Sequence, residues 1–274
     1  MEIRLRVSTY YPSFTKSEKK VAECLLERMD EIIYLSVTEF AEIAKVGETT
    51  VMRFCRKIGF KGYHEFKLAL AQDQSTRRNY EESADTDDFT QLVLQETFEI
   101  LQNSMSLLDK SALERAIDSM DAANHIQFFG VGASGITALD AKSRMLRIGR
   151  RAEAVADNHF QSMMAASMKK GDVAFVISLS GSTKDTMDIL LKAKQSDATV
   201  IAMTNYAKSP IASAADIVLL TAGKESPLEG GSIGAKISQL FIIDLICEGL
   251  ARKDLGRTEE MKEKTARAVV DKIY

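Results

Sequence analysis

The sequence predicts two folds in one chain: an all-α N-terminal domain, then an α/β domain built on a five-stranded parallel sheet flanked by helices. Three observations carry this prediction. Apolar residues recur at helical spacing up to about residue 72. After residue 125, short apolar runs alternate with helical patterns, as a parallel sheet with crossover helices on both faces requires. Between them lies 73–88, DQSTRRNYEESADTDD, which has almost no apolar side chain and is acidic in its second half. Such a stretch reads as a solvated linker into which the preceding helix can run. The expected domains are 1–77 and 90–274, joined by 78–89.

Composition bounds the class of protein. A chain of 274 residues with 45% hydrophobic and 27% charged residues fits a globular protein of one large or two ordinary domains. No apolar run approaches the roughly 20 residues of a membrane span. The N-terminus, MEIRLRVSTYYPSF, lacks the apolar core of a signal peptide. Cys24, Cys55 and Cys247 are isolated and odd in number, against a disulfide framework or a zinc site. A cytoplasmic protein with no metal and no cofactor is expected.

The elements follow in order. Thr15-Lys-Ser-Glu18 has the form of a capping box, and Val21, Leu25 and Met29 then repeat every fourth residue. A second box, Ser36-Val-Thr-Glu39, opens a short helix that buries Phe40, Ala41 and Ala44. A tight turn at Val46-Gly47-Glu48 leads to a third helix ending at Ile58, with Gly59 placed as its C-cap. A fourth helix from about Tyr63 carries Phe66 and Leu70 inward. Strands are expected at 126–131, 173–178, 199–204 and 216–221, with a weaker one at 152–156. Helices are expected at about 88–108 and 111–120 before the first strand. A long one is expected at about 232–252, and an amphipathic tail at 258–272.

Charge is unevenly spread. The net charge is −3, yet the first 78 residues are net positive and the remainder net negative. The bias is steepest at Lys45, Arg53, Arg56, Lys57 and Lys61, where Glu48 is the only acid. A basic patch on an acidic protein is an electrostatic footprint for nucleic acid. On a helical wheel of 49–58, Val51, Phe54, Cys55 and Ile58 share one side. Thr49, Met52, Arg53, Arg56 and Lys57 share the other. The apolar side docks the helix, and the cationic side suits a major groove or, more plainly, solvent.

The stretch SVTEFAEIAKVGETTVMRFCRKIGFKGYHEFK resembles the N-terminal helix-turn-helix of the RpiR family of bacterial transcriptional regulators. The resemblance rests on Ala41, Val46, Thr50, the pair Arg53-Phe54, Gly59-Phe60, Gly62-Tyr63 and Phe66-Lys67. Gly47 stands where the family usually has serine, so the third helix forgoes a side-chain cap. The DNA-binding residues expected on this reading are Thr49, Thr50, Arg53, Arg56, Lys57 and Lys61. Palindromic operator DNA and a homodimer, or a dimer of dimers, follow as expected partners.

In the second half, Ile126 to Gly135 reads as a buried strand running into glycines at 130, 132 and 135. That spacing matches the dinucleotide fingerprint, with Glu153 and Asp157 near where an acidic ribose ligand would sit. A second loop, Ser178-Leu-Ser-Gly-Ser-Thr183, also follows a strand and opens a helix. A dinucleotide site does not require it. Two such loops at the carboxyl ends of strands suit one crevice for a phosphate. Ser178-x-Ser180-Gly181-x-Thr183 is similar to the motif of the SIS (sugar isomerase) domain, found in phosphosugar isomerases and in RpiR-type regulators. The similarity covers about 120–250. It implies that Ser134, Ser178, Ser180 and Thr183 hold the phosphate of a sugar phosphate, while His159 and Glu229 hydrogen-bond its hydroxyls. Glu225 is a further acid nearby, whereas His64 and His125 fall elsewhere. A fused helix-turn-helix implies regulation of carbohydrate or amino-sugar metabolism, with no catalytic residue assigned. A SIS isomerase or lyase with an accessory domain is the alternative.

Overall fold

The computed structural model describes residues 3–81, 89–223 and 233–270. They form two compact units that divide between Gln95 and Glu96. The first unit is helical. It comprises α1 (Ile3–Tyr10), a 3-10 turn (Tyr11–Ser13), α2 (Lys16–Glu27), α3 (Met29–Ile32), α4 (Val37–Ile43), α5 (Glu48–Lys57) and α6 (Tyr63–Glu81). Both capping boxes form. The Thr15 hydroxyl accepts from the Glu18 N–H while Glu18 accepts from the Thr15 N–H, and Ser36 and Glu39 repeat the exchange. Each satisfies two backbone donors that a helix start would otherwise leave exposed.

Helix α4 stops at a turn in which Lys45 has φ 53°, a left-handed conformation unusual for a side chain with a Cβ. The Val46 N–H reaches back to the Ala41 carbonyl and closes the turn. Helix α5 ends the same way on Gly59 (φ 94°), with the Phe60 N–H bonded to the Cys55 carbonyl. Phe14, Phe60 and Tyr63 stack around Phe54 and Phe66, at centroid distances of 5.2 Å for Phe14–Phe54 and 5.7 Å for Phe60–Phe66. Phe54 and Phe66 are completely buried, so α5 and α6 are locked to one aromatic core. Helix α1 has no counterpart among the sequence-predicted elements. Only Ile3 and Val7 mark its inner face, and Leu5 is exposed.

The second unit contains most of α7 (Phe89–Leu107), then α8 (Lys110–Asp121), β1 (Ile126–Gly130), α9 (Ala133–Arg147), β2 (Ala152–Ala154), α10 (Asn158–Ser167) and β3 (Val173–Ile177). It continues through α11 (Lys184–Gln195), β4 (Thr199–Thr204), α12 (Pro210–Ala214), β5 (Ile217–Leu220), α13 (Ile233–Lys253) and α14 (Leu255–Arg267). The five strands are parallel in the order β2-β1-β3-β4-β5. Alternation splits each of the three central strands, β1, β3 and β4, between two cores. Phe128, Phe175 and Ile201 meet α8, α9 and α13, while Phe129, Val176 and Ala202 meet α10, α11 and α12. The expected weak strand is the short edge strand β2. The expected tail helix starts earlier, at Leu255, where Asp254 caps it. No helix among the described residues is long and apolar enough to cross a membrane.

All three cysteines are buried as free thiols. Burial pushes the Cys55 and Cys247 thiols up to about 12 and raises that of Cys24.

The Glu18 carboxylate also accepts from Lys57 Nζ at 2.9 Å, fastening α5 to α2. Burial raises the Glu18 pKa, but the Thr15 N–H, the Lys57 ammonium and the Thr15 hydroxyl together hold it below the usual 4.5. A depressed folded-state pKa stabilises at neutral pH, and the contribution is lost as pH falls through the lowered value. Glu18→Gln is expected to cost the helical unit about 1.5–3 kcal/mol at neutral pH. The difference from wild type should close below pH 4.5. Hydrogen exchange across α2 and α5, run at neutral and acid pH, checks both statements.

Candidate functional site

The helical unit presents α5 as its polar face. Val51, Phe54, Cys55 and Ile58 are buried, as the wheel predicts, and Thr49, Arg53 and Arg56 are exposed. The N-cap Gly47 makes no side-chain bond. Instead the Thr38 hydroxyl donates to Glu48 Oε1 at 2.6 Å, tying the start of α4 to the start of α5. Lys61 is exposed just beyond the helix. Two of the expected residues are not fully on the outer face. Thr50 is buried at 7% exposure, so its side chain leaves the outer face. Lys57 curls inward, donating to the Ser13 carbonyl at 2.5 Å and to Glu18, with its ammonium over the Phe14 ring. The buried Glu18 carboxylate on α2 and the Ser13 carbonyl of the 3-10 turn together outcompete solvent for that cation. The exposed set is therefore Thr49, Arg53, Arg56 and Lys61.

In the α/β unit, strand order turns at β1 and β3. Residue Gly130 pairs with Ile177, so the segments after them leave the sheet side by side at its carboxyl edge. Those segments are 131–134 and 178–183, the two loops singled out by sequence. Gly130 and Gly135 are where backbone meets backbone. A Cβ on Gly130 would lie 2.7 Å from the Ser134 carbonyl oxygen, and one on Gly135 would lie 2.9 Å from that of Gly130. Gly132 adopts φ 59°, ψ −128°, which L side chains avoid. The fingerprint spacing thus serves close packing of α9 on β1. Asp157, one acid considered for a ribose, is occupied as the N-cap of α10, accepting from the Phe160 N–H at 2.8 Å.

Helix N-termini set the electrostatics of this edge. Helices α8, α10, α12 and α14 are capped by Asp109, Asp157, Ser209 and Asp254. Helices α9 and α11, which follow the two loops, have no side-chain cap. Their backbone N–H groups and positive dipole ends suit an anion. The hydroxyls add donors. Ser178 Oγ accepts from the Gly181 N–H at 3.1 Å and lies 3.4 Å from Thr183 Oγ1. Ser180 Oγ accepts from the Ser182 N–H at 3.3 Å. Ser134 Oγ accepts from Gln239 Nε2 at 3.3 Å. Each serine oxygen therefore receives one bond from the protein; the protons of Ser134 and Ser180 are left to donate, and that of Ser178 is shared with the Thr183 contact.

His159 is exposed on the first turn of α10. That turn is held at the same edge by two neighbours. Asn158 Nδ2 donates to Asp185 on α11 at 2.9 Å. The buried Gln161 amide donates to the Gly130 and Val155 carbonyls and accepts from the Gly130 N–H. Glu229 and Glu225 lie outside the described residues. His125 precedes β1 at the opposite edge, and His64 lies in the helical unit.

Sequence reasoning missed the residues that hold the second loop in place. The Thr204 hydroxyl and the Asn205 N–H both donate to the Leu179 carbonyl, at 3.0 and 3.1 Å. The Asn205 side chain bridges Thr221 and Gly223. Thr204 and Asn205 close an apolar strand, and nothing in their spacing marks them. Gly181 has φ 61°, and a Cβ there would fall on Ser209 and Thr204. Gly181→Ala is expected to destabilise the α/β unit by about 1–3 kcal/mol and to displace the loop. Calorimetric melting of the variant beside wild type measures the first, and loss of anion binding the second.

Comparison with known proteins agrees with this division. Residues 1–77 match the model of the helix-turn-helix domain, rpiR family, and residues 119–248 match that of the SIS domain. An HTH-type transcriptional regulator of Haemophilus influenzae is 38% identical, the match covering 97% of this chain and 96% of that one. The regulator HexR of Escherichia coli is 32% identical over 95% and 94%. The structure of Vibrio vulnificus NanR complexed with ManNAc-6P superposes with a TM-score of 0.88 at 30% identity, covering 98% of each chain. A phosphoheptose isomerase from Neisseria gonorrhoeae shares only the fold, at 19% identity and a TM-score of 0.51 over 59% of this chain. The chain therefore belongs to the rpiR family of HTH-type transcriptional regulators, with an N-terminal helix-turn-helix followed by a SIS domain.

Proposed function

We propose that this regulator reads operator DNA with the exposed face of α5, and that a phosphorylated sugar at the carboxyl edge of the SIS sheet controls its affinity. The observation that carries the reading is the pair of uncapped helix N-termini, α9 and α11, that follow the hydrogen-bonded neighbours β1 and β3 at one edge of the sheet, with serines in the connecting loops. Phosphate would sit on Ser134, Ser178, Ser180 and Thr183, with His159 and Glu229 toward the sugar hydroxyls. Neutral donors and helix dipoles hold such an anion without a lysine in the loop. The bound ManNAc-6P in the NanR structure supports a phosphorylated amino sugar as the first ligand class to test. We read the protein as a cytoplasmic sensor of carbohydrate or amino-sugar metabolism rather than an enzyme, because its full-length relatives are named as regulators. A homodimer, or a dimer of dimers, matches the two-fold symmetry of palindromic operators.

Two results are expected. Arg53→Ala and Arg56→Ala should each weaken operator binding in a salt-controlled mobility shift. A base contact is worth about 1–3 kcal/mol with relaxed specificity, and a phosphate contact weakens all sequences alike. Near-wild-type binding by both variants would remove α5 from the groove.

The second result is reciprocity. Saturating sugar phosphate should change operator affinity by about 1–3 kcal/mol, and operator DNA should change ligand affinity by the same factor. Thermal shift over hexosamine, pentose and N-acetylmuramate phosphates identifies the ligand, and paired titrations measure the coupling. Conversion of the sugar phosphate to a product, with no change in DNA binding, would assign the SIS domain to catalysis instead.

A further inference from the structure

The three serines of the anion edge are not oriented by equivalent means. Ser178 and Ser180 each accept from a backbone N–H, those of Gly181 and Ser182. A backbone amide cannot present its oxygen in place of its hydrogen, so neither of those amides can ever take the hydroxyl proton; that of Ser178 can point outward or toward Thr183 Oγ1. Ser134 accepts from a side-chain amide, Gln239 Nε2, which can turn over and present its oxygen. In that inverted state Ser134 would give its proton to Gln239 and turn lone pairs toward the anion.

The observed orientation of the amide is also held from its other end. The Thr137 hydroxyl, one turn along α9, donates to Gln239 Oε1 at 2.8 Å. Ser134, Thr137 and Gln239 are 8%, 1% and 3% exposed, so water is a poor substitute for any of them. The amide is thus gripped at both ends by α9 while its backbone belongs to α13.

We propose that Gln239 is a positioning residue of the anion site: with Thr137 it sets the Ser134 hydroxyl as an obligate donor to phosphate. The inference rests on the reading that phosphate binds at Ser134. It deepens that reading by adding two buried residues from outside the two loops. The relay runs in one direction, Thr137 O–H to Gln239 Oε1, Gln239 N–H to Ser134 Oγ, and Ser134 O–H to the anion. Phosphate occupancy favours this arrangement in return, because only one orientation of the amide is compatible with it.

The test is a double-mutant cycle on the full-length protein, with inorganic phosphate as the probe and ³¹P line broadening as the readout of affinity. Ser134→Ala should weaken phosphate binding roughly tenfold or more, the loss of one bond to a charged group. Gln239→Glu should cost at least as much, because a carboxylate accepts from both hydroxyls and takes the Ser134 proton. Gln239→Met and Thr137→Val should each cost several-fold. In the Ser134→Ala background, Gln239→Met should change affinity by less than twofold, since its effect passes through that hydroxyl. Equal cost of Gln239→Met in both backgrounds would overturn the proposal, as would an unchanged affinity in Gln239→Glu. Should Gln239→Met fold poorly, as melting will show, Thr137→Val carries the same cycle. Unchanged binding in Ser134→Ala and Ser180→Ala, or no saturable phosphate binding by wild type, would overturn the anion-site reading and this proposal with it.

Discussion

The functional half of this protein depends on the reversal of strand order between β1 and β3. From β1 the chain crosses through α9 to β2 on one side, and from β3 it crosses through α11 to β4 on the other. Right-handed crossovers running in opposite directions must use opposite faces of the sheet. The two loops at the turning point therefore run to opposite faces of the sheet, which leaves a crevice between the adjacent strands. Gly130 and Ile177 sit level there, so the loops that lead into α9 and α11 leave the sheet from adjacent points on one edge. The serines and the buried amides are refinements of that arrangement. A displaced register would dissolve all of them together.

The helical unit solves a different problem. Its polar helix must stay exposed on one side while being immobile on the other, and α5 has only ten residues with which to do so. Phe54 supplies the apolar anchor between Phe14 and Phe66, and the Lys57–Glu18 pair supplies a polar one at the far end of the helix. One cation is spent on internal fastening, and Arg53 and Arg56, which stay exposed, project from a fixed platform.

Much of this was legible in the sequence because it is periodic or punctuated. Both capping boxes, the C-cap at Gly59, the two-faced helix 48–57 and all five strands follow from spacing alone. The Ser178–Thr183 loop stood out through its unusual density of hydroxyls. Residues whose role depends on a distant partner were illegible. Lys57 reads as one more outward cation until Glu18 is brought beside it from 39 positions away. Gln161 and Gln239 look like ordinary helix residues, and only the folded chain sets them against Gly130 and Ser134. Thr50 carried a family match, but its burial is a tertiary fact. The glycines at 130, 132 and 135 were legible as a pattern yet ambiguous as to ligand, since the same spacing satisfies any tight strand-to-helix contact.

The buried thiols have a practical consequence. Cys55 and Cys247, raised to about 12, and Cys24, raised and enclosed, present almost no thiolate near neutral pH. A maleimide added to the folded protein would find them unreactive. A single cysteine introduced at an exposed position such as Lys61 would then be the preferred target for a fluorophore, with the three natural residues left in place. The wild-type background is in this respect already prepared for site-specific labelling of the helical unit.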